Sequence, residues 1–253
     1  MTEPSAGLEQ EETEHDVDLI HECVVKMAKE ISDFMNITPD KQRMDSLMVA
    51  ANIRNLSLLE LFYTCVSNLC KIMNERGTKI PDEQHHYIEK DDYNKCIYHK
   101  RDMDATERTI VVMKDADILI KICDSTGDFD DTSEYQLLIR LLKEHTIIDD
   151  DGSRRLRQKE EVENPSEVLL NPSDPEATFR YKAGGKHLGY VGNIVESVGE
   201  NGSLIIDYDY QPNTYADNQF MKDYLKRKKR FFRWFLFCCR WSIQWRKKLT
   251  FSI

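Results

Sequence analysis

A short apolar run carrying a single carboxylate most constrains how this chain can fold. Arg43–Ala51 (R-M-D-S-L-M-V-A-A) is brief and mostly apolar, and reads as a strand buried on both faces. Asp45 interrupts it. A carboxylate in such a strand costs several kcal/mol unless it meets a cation, a metal or hydrogen-bond donors. From the residues alone two readings stay open. Asp45 is either a structural acid, capping a loop or paired with Arg43 or Arg54, or a functional one.

The segments around this run set its context. Residues 1–15 hold Pro, Ser, Gly and five Glu without periodicity, and read as disordered. Val17, Ile20, Val24, Met27, Ala28, Ile31 and Met35 recur at helical spacing, which predicts an amphipathic helix ending near Asn36. Ser57-x-x-Glu60 is a capping box that opens a helix striped by Leu58, Phe62, Cys65, Leu69 and Ile72. A short helix is expected around Asp91–Lys100 and a longer one over Thr106–Cys123. Ser133-x-x-Gln136 caps another, and residues 149–176 read as a long polar connection. The pattern then switches. His187–Val198 alternates, Gly199–Ser203 (G-E-N-G-S) is a turn, and Leu204–Gln211 is a second strand, so a β-hairpin is predicted. Asn213–Leu225 begins a further helix.

Charge divides the chain unevenly. Residues 226–253 hold ten Lys/Arg, no Asp or Glu, and all three Trp (Trp234, Trp241, Trp245). The first 225 residues carry a net charge of −20, which excludes a generally basic nucleic-acid binder. Seven irregularly spaced Cys with no C-x-x-C pair argue against a zinc or redox motif. The acidic start lacks the pattern of a signal peptide, and no apolar stretch reaches the length of a membrane span. A cytoplasmic chain with reduced thiols and no membrane partner is expected.

Several other polar residues invite a functional reading. Asp207 and Asp209 lie on one face of the second hairpin strand, where solvation is the simpler expectation. His85 and His86 have no Cys or carboxylate at obvious ligand spacing and read as surface loop. His145 falls in a last helical turn, where a cation would complement the dipole. Arg180, Lys182, Lys186 and His187 form either a solvated basic loop or a phosphate-contacting group. The aromatic, basic tail could bind single strands or a membrane surface.

The motifs M-D-S-L-M-V-A-A-N-I-R (44–54), S-E-Y-Q-L-L-I-R (133–140), D-G-S-R-R-L-R (151–157) and N-P-S-D-P-E-A-T-F-R-Y-K-A-G-G-K-H-L-G-Y-V (171–191) resemble bacterial insertion-sequence transposases of the DDE class. The resemblance covers roughly residues 16–225. It implies an α+β fold: a partial RNase H-like core, made of a first strand and an antiparallel hairpin, with a large helical insertion at about 56–160. It divides the chain into a disordered acidic start (1–15), a helical connector (16–41) from a DNA-binding region expected upstream, a catalytic domain (42–225) and the tail (226–253). It also implies Mg²⁺ or Mn²⁺ as cofactor, with Asp45 as the first metal-binding catalytic acid. Transposon-end DNA would be the partner, with Arg180, Lys182, Lys186 and His187 as candidate contacts. A homo-oligomer, or association with a full-length transposase, would follow.

The family's second acid, on an A-D-G-A-Y-S-G-like strand, and its later Glu are absent. The tail offers a reason. Trp has one codon, TGG, which contributes GG to a codon read one base later and so yields Gly. Plausible codons for Phe237–Arg246 (F-C-C-R-W-S-I-Q-W-R), shifted by one base, spell S-V-A-D-G-A-Y-S-G. The tail from about residue 226 is therefore expected to be out-of-frame translation of the second catalytic strand, leaving a chain without strand-transfer activity. A non-catalytic nucleic-acid-binding or interaction protein that uses the tail is the alternative. A purely helical regulator is a third possibility, and it predicts no strand joining residues 43–51 to the hairpin.

Overall fold

The computed structural model describes residues 18–37, 41–99, 103–182, 184–228 and, for the backbone, 236–239. The start at 1–15 that the sequence predicts to be disordered lies outside the described residues, as does most of the tail. Two compact units emerge. The first comprises Met1–Ser46, Asn193–Asp209 and Phe220–Ile253, the second Leu47–Gly192 and Tyr210–Gln219.

In the first unit, α1 spans Leu19–Met35. Asp18 caps it by accepting from the His21 backbone N–H at 2.9 Å. It ends at Asn36, whose left-handed φ of 52° suits an Asn. Among the described residues of the predicted stripe only Ala28 is buried, and Ile20 and Met27 face solvent. Strand β1 follows at Lys41–Ala50.

The second unit is mainly helical. Its first helix, α2 (Leu58–Glu75), opens on the predicted capping box, with both Ser57 and Glu60 bonds present. A 3₁₀ helix at Asp82–Ile88, a single helical turn α3 (Asp92–Asn94) and a π-helical turn at Lys95–His99 lead on to α4 (Ala105–Thr126). Helix α5 (Ser133–His145) begins one residue earlier than predicted, with Ser133, the expected cap, as its first helical residue. Thr132 holds the cap position, and its hydroxyl donates to the Phe129 carbonyl at 2.7 Å instead of capping the helix. Helix α2 packs against both α4 and α5. Phe62, Val66, Leu69, Met113, Leu119, Phe129, Leu138 and Leu141 fill the core between them.

The connection predicted over 149–176 contains more order than its composition suggests. Strands β2 (Thr146–Ile148) and β3 (Arg154–Leu156) pair antiparallel through a tight turn. Asp117 holds Arg154 at 2.7 Å, and Glu161 and Asp149 grip Arg155, so charged residues serve as strand residues here. The next strand, β4 (Thr178–Lys182), takes the place of the predicted basic loop.

The hairpin is present as β5 (Gly185–Gly199) and β6 (Gly202–Pro212). Strand β5 pairs antiparallel with β4 and is bonded to β6 and β1. Contacts Ala51–Leu188, Ser46–Asn193 and Arg43–Glu196 run in opposite chain directions, so β1 and β5 are antiparallel. Helix α6 (Asp217–Arg227) follows the hairpin, and its Tyr224 hydroxyl donates to Gln42 at 3.0 Å. The last strand, β7 (Leu236–Cys239), lies parallel to β1 in the register Lys41↔Leu236 to Met44↔Cys239. The fold is thus mixed α and β. A strand joining residues 41–50 to the hairpin exists, contrary to the prediction of a purely helical regulator.

Candidate functional site

Asp45 sits on β1, but the strand is not buried on both faces. Gln42 and Met44 are buried, whereas Leu47 and Val49 are 45% and 41% exposed. Alternation puts Asp45 on the more open face with Arg43, Leu47 and Val49. It is half-buried, so the desolvation cost expected of an interior carboxylate does not arise. Its Oδ1 accepts from the Ser46 backbone N–H at 3.0 Å. Both expected counter-ions are engaged elsewhere. Arg43 pairs with Glu196, and Arg54 pairs with Glu60. Among the described residues no cation reaches Asp45.

The four candidate DNA contacts fall on the β4–β5 pair. Arg180 is registered opposite His187, and Lys186 opposite Tyr181, so strand pairing gathers them at one end of β5. Lys182, Lys186 and His187 are exposed. Arg180 is half-buried, 3.7 Å from Asp217, and the Lys186 ammonium lies 4.3 Å over the Phe179 ring. The Asn213 side chain fixes the pair by donating to the carbonyls of Thr178 and His187.

Asp207 reverses its expected role. It is 1% exposed and ringed by His21 (2.8 Å), Lys228 (3.2 Å) and Arg227 (3.5 Å). Arg227 also pairs with Asp209 at 2.7 Å. The solvated reading of Asp207 is therefore incorrect. Hairpin strand, α1 and the end of α6 exclude water from it, and three basic groups replace that water. Their separation in sequence, 186 positions from His21 to Asp207, hides the cluster from any local pattern. Arg227 and Lys228 belong to this ion-pair group, although composition assigns them to the tail.

His86 likewise departs from the surface-loop reading. Its Nδ1 lies 2.7 Å from Asp92 Oδ2. The Cys96 sulfur is 3.4 Å from the same oxygen, and the Tyr63 hydroxyl donates to it at 2.6 Å. Burial alone would push the Asp92 carboxyl up; hydrogen bonds from Tyr63 and His86 outweigh that and hold it below the usual carboxylate range. Asp92 and Cys96 stand four apart, a spacing legible in the sequence as one helix face. His86 joins only because the 3₁₀ helix doubles back.

Around Glu60 a second polar cluster closes the N-terminus of α2. Burial would raise the Glu60 carboxyl, but bonds from Ser57, Tyr93 and Arg54 lower it. Tyr93 and Tyr98 reach it at 3.1 and 3.3 Å. His145 is half-buried, and desolvation lowers its pKa, so it does not supply the helix-end cation expected of it. No helix among the described residues is long and apolar enough to cross a membrane.

Comparison of the chain with protein-family models, curated proteins and solved structures finds no match.

Proposed function

We propose that this chain carries part of the catalytic domain of a DNA insertion-sequence transposase of the DDE class. Its ancestral reaction is metal-dependent cleavage of DNA phosphodiesters and strand transfer. Residues beyond Lys228 are read as out-of-frame translation, a boundary drawn after Arg227 and Lys228 because both serve the Asp207 ion-pair group.

The observation that carries this reading is the surrounding of β1 within the first unit. An antiparallel hairpin, β5–β6, flanks it on one side and a parallel strand, β7, on the other. That order suits an RNase H-like core. The β1–β7 register stops at Met44↔Cys239, and the next residue of β1 is Asp45. Under the codon choice given above, codon 240, the next after Cys239, is the one that reads as Asp in the neighbouring frame. Backbone pairing depends little on side chains, so a shifted strand retains its partner while losing its acid.

The donor set does not fit two divalent cations. Hard cations such as Mg²⁺ and Mn²⁺ are held by several oxygen ligands, and Asp45 supplies the one carboxylate assigned to the task. Transposon-end DNA remains the proposed partner, contacted through Arg180, Lys182, Lys186 and His187, with a second copy or a full-length relative as protein partner.

The purified chain, given labelled DNA carrying the ends that flank its coding sequence and Mg²⁺ or Mn²⁺, should leave that DNA intact. The gene corrected by one base after codon 228, and read on in that frame through the family's later Glu, should give a product that nicks it, and Asp45→Asn should abolish the nicking. Cleavage by the uncorrected chain overturns the reading. So does a coding sequence with no A-D-G-A-Y-like stretch in the neighbouring frame.

A further inference from the structure

In the second unit, one short segment brings three different metal-binding atoms together. His86, Asp92 and Cys96 place an imidazole nitrogen, a carboxylate oxygen and a sulfur within 4.8 Å of one another. The geometry points to a binding site for a zinc-class divalent cation, held by His86 Nδ1, Asp92 Oδ2 and Cys96 Sγ with water in a fourth position.

Donor chemistry comes first. Zinc accepts nitrogen, oxygen and sulfur ligands together, whereas Mg²⁺ and Ca²⁺ take oxygen. Zinc bonds of about 2.0 Å to nitrogen and oxygen and about 2.3 Å to sulfur put tetrahedral donor atoms roughly 3.3–3.7 Å apart. The Asp92–Cys96 separation of 3.4 Å already meets that spacing. The His86–Asp92 separation of 2.7 Å has to open by less than about 1 Å.

Crowding around one oxygen is the second observation. Tyr63, His86 and Cys96 all converge on Asp92 Oδ2. A cation replaces two of those hydrogen bonds with coordinate bonds and leaves the third, from Tyr63, to orient the carboxylate. Tyr63 is itself fixed, being buried against the rings of Tyr87 and Tyr93 at 5.2 and 5.3 Å. Backbone shape is the third. A π-helical turn over Lys95–His99, a rare form that concentrates at functional sites, carries Cys96 on the Asp92 face.

Access and proton balance are also provided for. Asp92 is buried, while His86 and Cys96 are half-exposed, so a hydrated cation has a route from solvent. Binding releases the Cys96 thiol proton to water. It also moves the His86 ring proton to Nε2, leaving the Nδ1 lone pair for the metal. The bound cation would lock the turn that holds Tyr93 and Tyr98 against Glu60.

The test uses the full chain, stripped with chelator and titrated with Co²⁺. One equivalent should produce the near-ultraviolet thiolate-to-cobalt charge-transfer band, and Zn²⁺ should displace it. Cys96→Ser should remove the band with circular dichroism unchanged. His86→Gln should weaken Co²⁺ affinity by more than about tenfold, and Tyr63→Phe by about tenfold. Cys23→Ser and a Cys238→Ser, Cys239→Ser double variant should retain the band. Absence of a charge-transfer band, or a band that survives Cys96→Ser, overturns the site. The readout needs no DNA cleavage, and failure here leaves the transposase reading untouched.

Discussion

Asp45 and Asp207 illustrate how little a residue's neighbours in sequence reveal about its surroundings. Asp45 lies among apolar residues, yet it is half-buried on the open face of β1. Asp207 lies in an alternating strand beside other polar residues, yet it is enclosed by three basic groups. Strand alternation decides which face a side chain takes, but only the elements packed on each face decide which one is dry. Asp207→Asn should therefore cost about 2–3 kcal/mol in urea unfolding, somewhat less than the loss of a fully buried partner, because the cations are partly hydrated. Asp45→Asn should leave the urea unfolding free energy within about 0.5 kcal/mol of the parent, as expected for a site away from caps, cavities and ion pairs. His145 gives a pH prediction. Burial lowers its folded pKa below the ordinary imidazole value of about 6.5, so below that pH the unfolded chain binds the extra proton. The contribution of the neutral ring is fully present above about 6.5 and is lost as pH falls through the folded value. Urea midpoints measured from pH 8 to pH 5 should decline, and His145→Gln should flatten that decline.

At the scale of elements, local chemistry and long-range contact divide the work. The Ser57–Glu60 box starts α2 as its pattern predicts, and Ser57→Ala should cost about 1 kcal/mol. Phe62, 0% exposed in the core shared by α2, α4 and α5, should cost about 3–5 kcal/mol when cut to Ala. Gly189 answers to a demand that no local pattern announces. Its φ is +134°, and a Cβ there would lie 2.4 Å from Ala51 N and Val49 O, because β1 and β5 cross closely at that point. Gly189→Ala should cost at least about 2 kcal/mol, and a smaller loss in the urea midpoint would contradict the close approach. Strand β4 escaped notice for a related reason. Thr178–Lys182 carries three β-favouring residues, Thr178, Phe179 and Tyr181, but it is only five residues long and follows a turn, so the bonds offered by the edge of β5 decide that it is a strand.

For the whole molecule, the tail is the decisive segment. If it binds nucleic acid instead of marking a lost reading frame, affinity for single-stranded DNA should fall steeply with salt. Removing residues 229–253, which spares Arg227 and Lys228, should then abolish it. The transposase reading expects the deletion to leave a weak binding signal from the β4–β5 residues unchanged, and a binding isotherm in low and high salt separates the two. The main helices, the hairpin and a strand near 43–51 follow from the sequence by itself, because caps, turn glycines and apolar periodicity act within a few residues. The charge break near residue 226 and the candidacy of Asp45 are equally local properties. The burial of Asp207, the His86–Asp92–Cys96 cluster, the β4 strand and the open side of β1 were settled by tertiary structure alone. Each depends on groups far apart along the chain meeting in space, where desolvation and strand pairing assign roles that no short stretch of residues encodes.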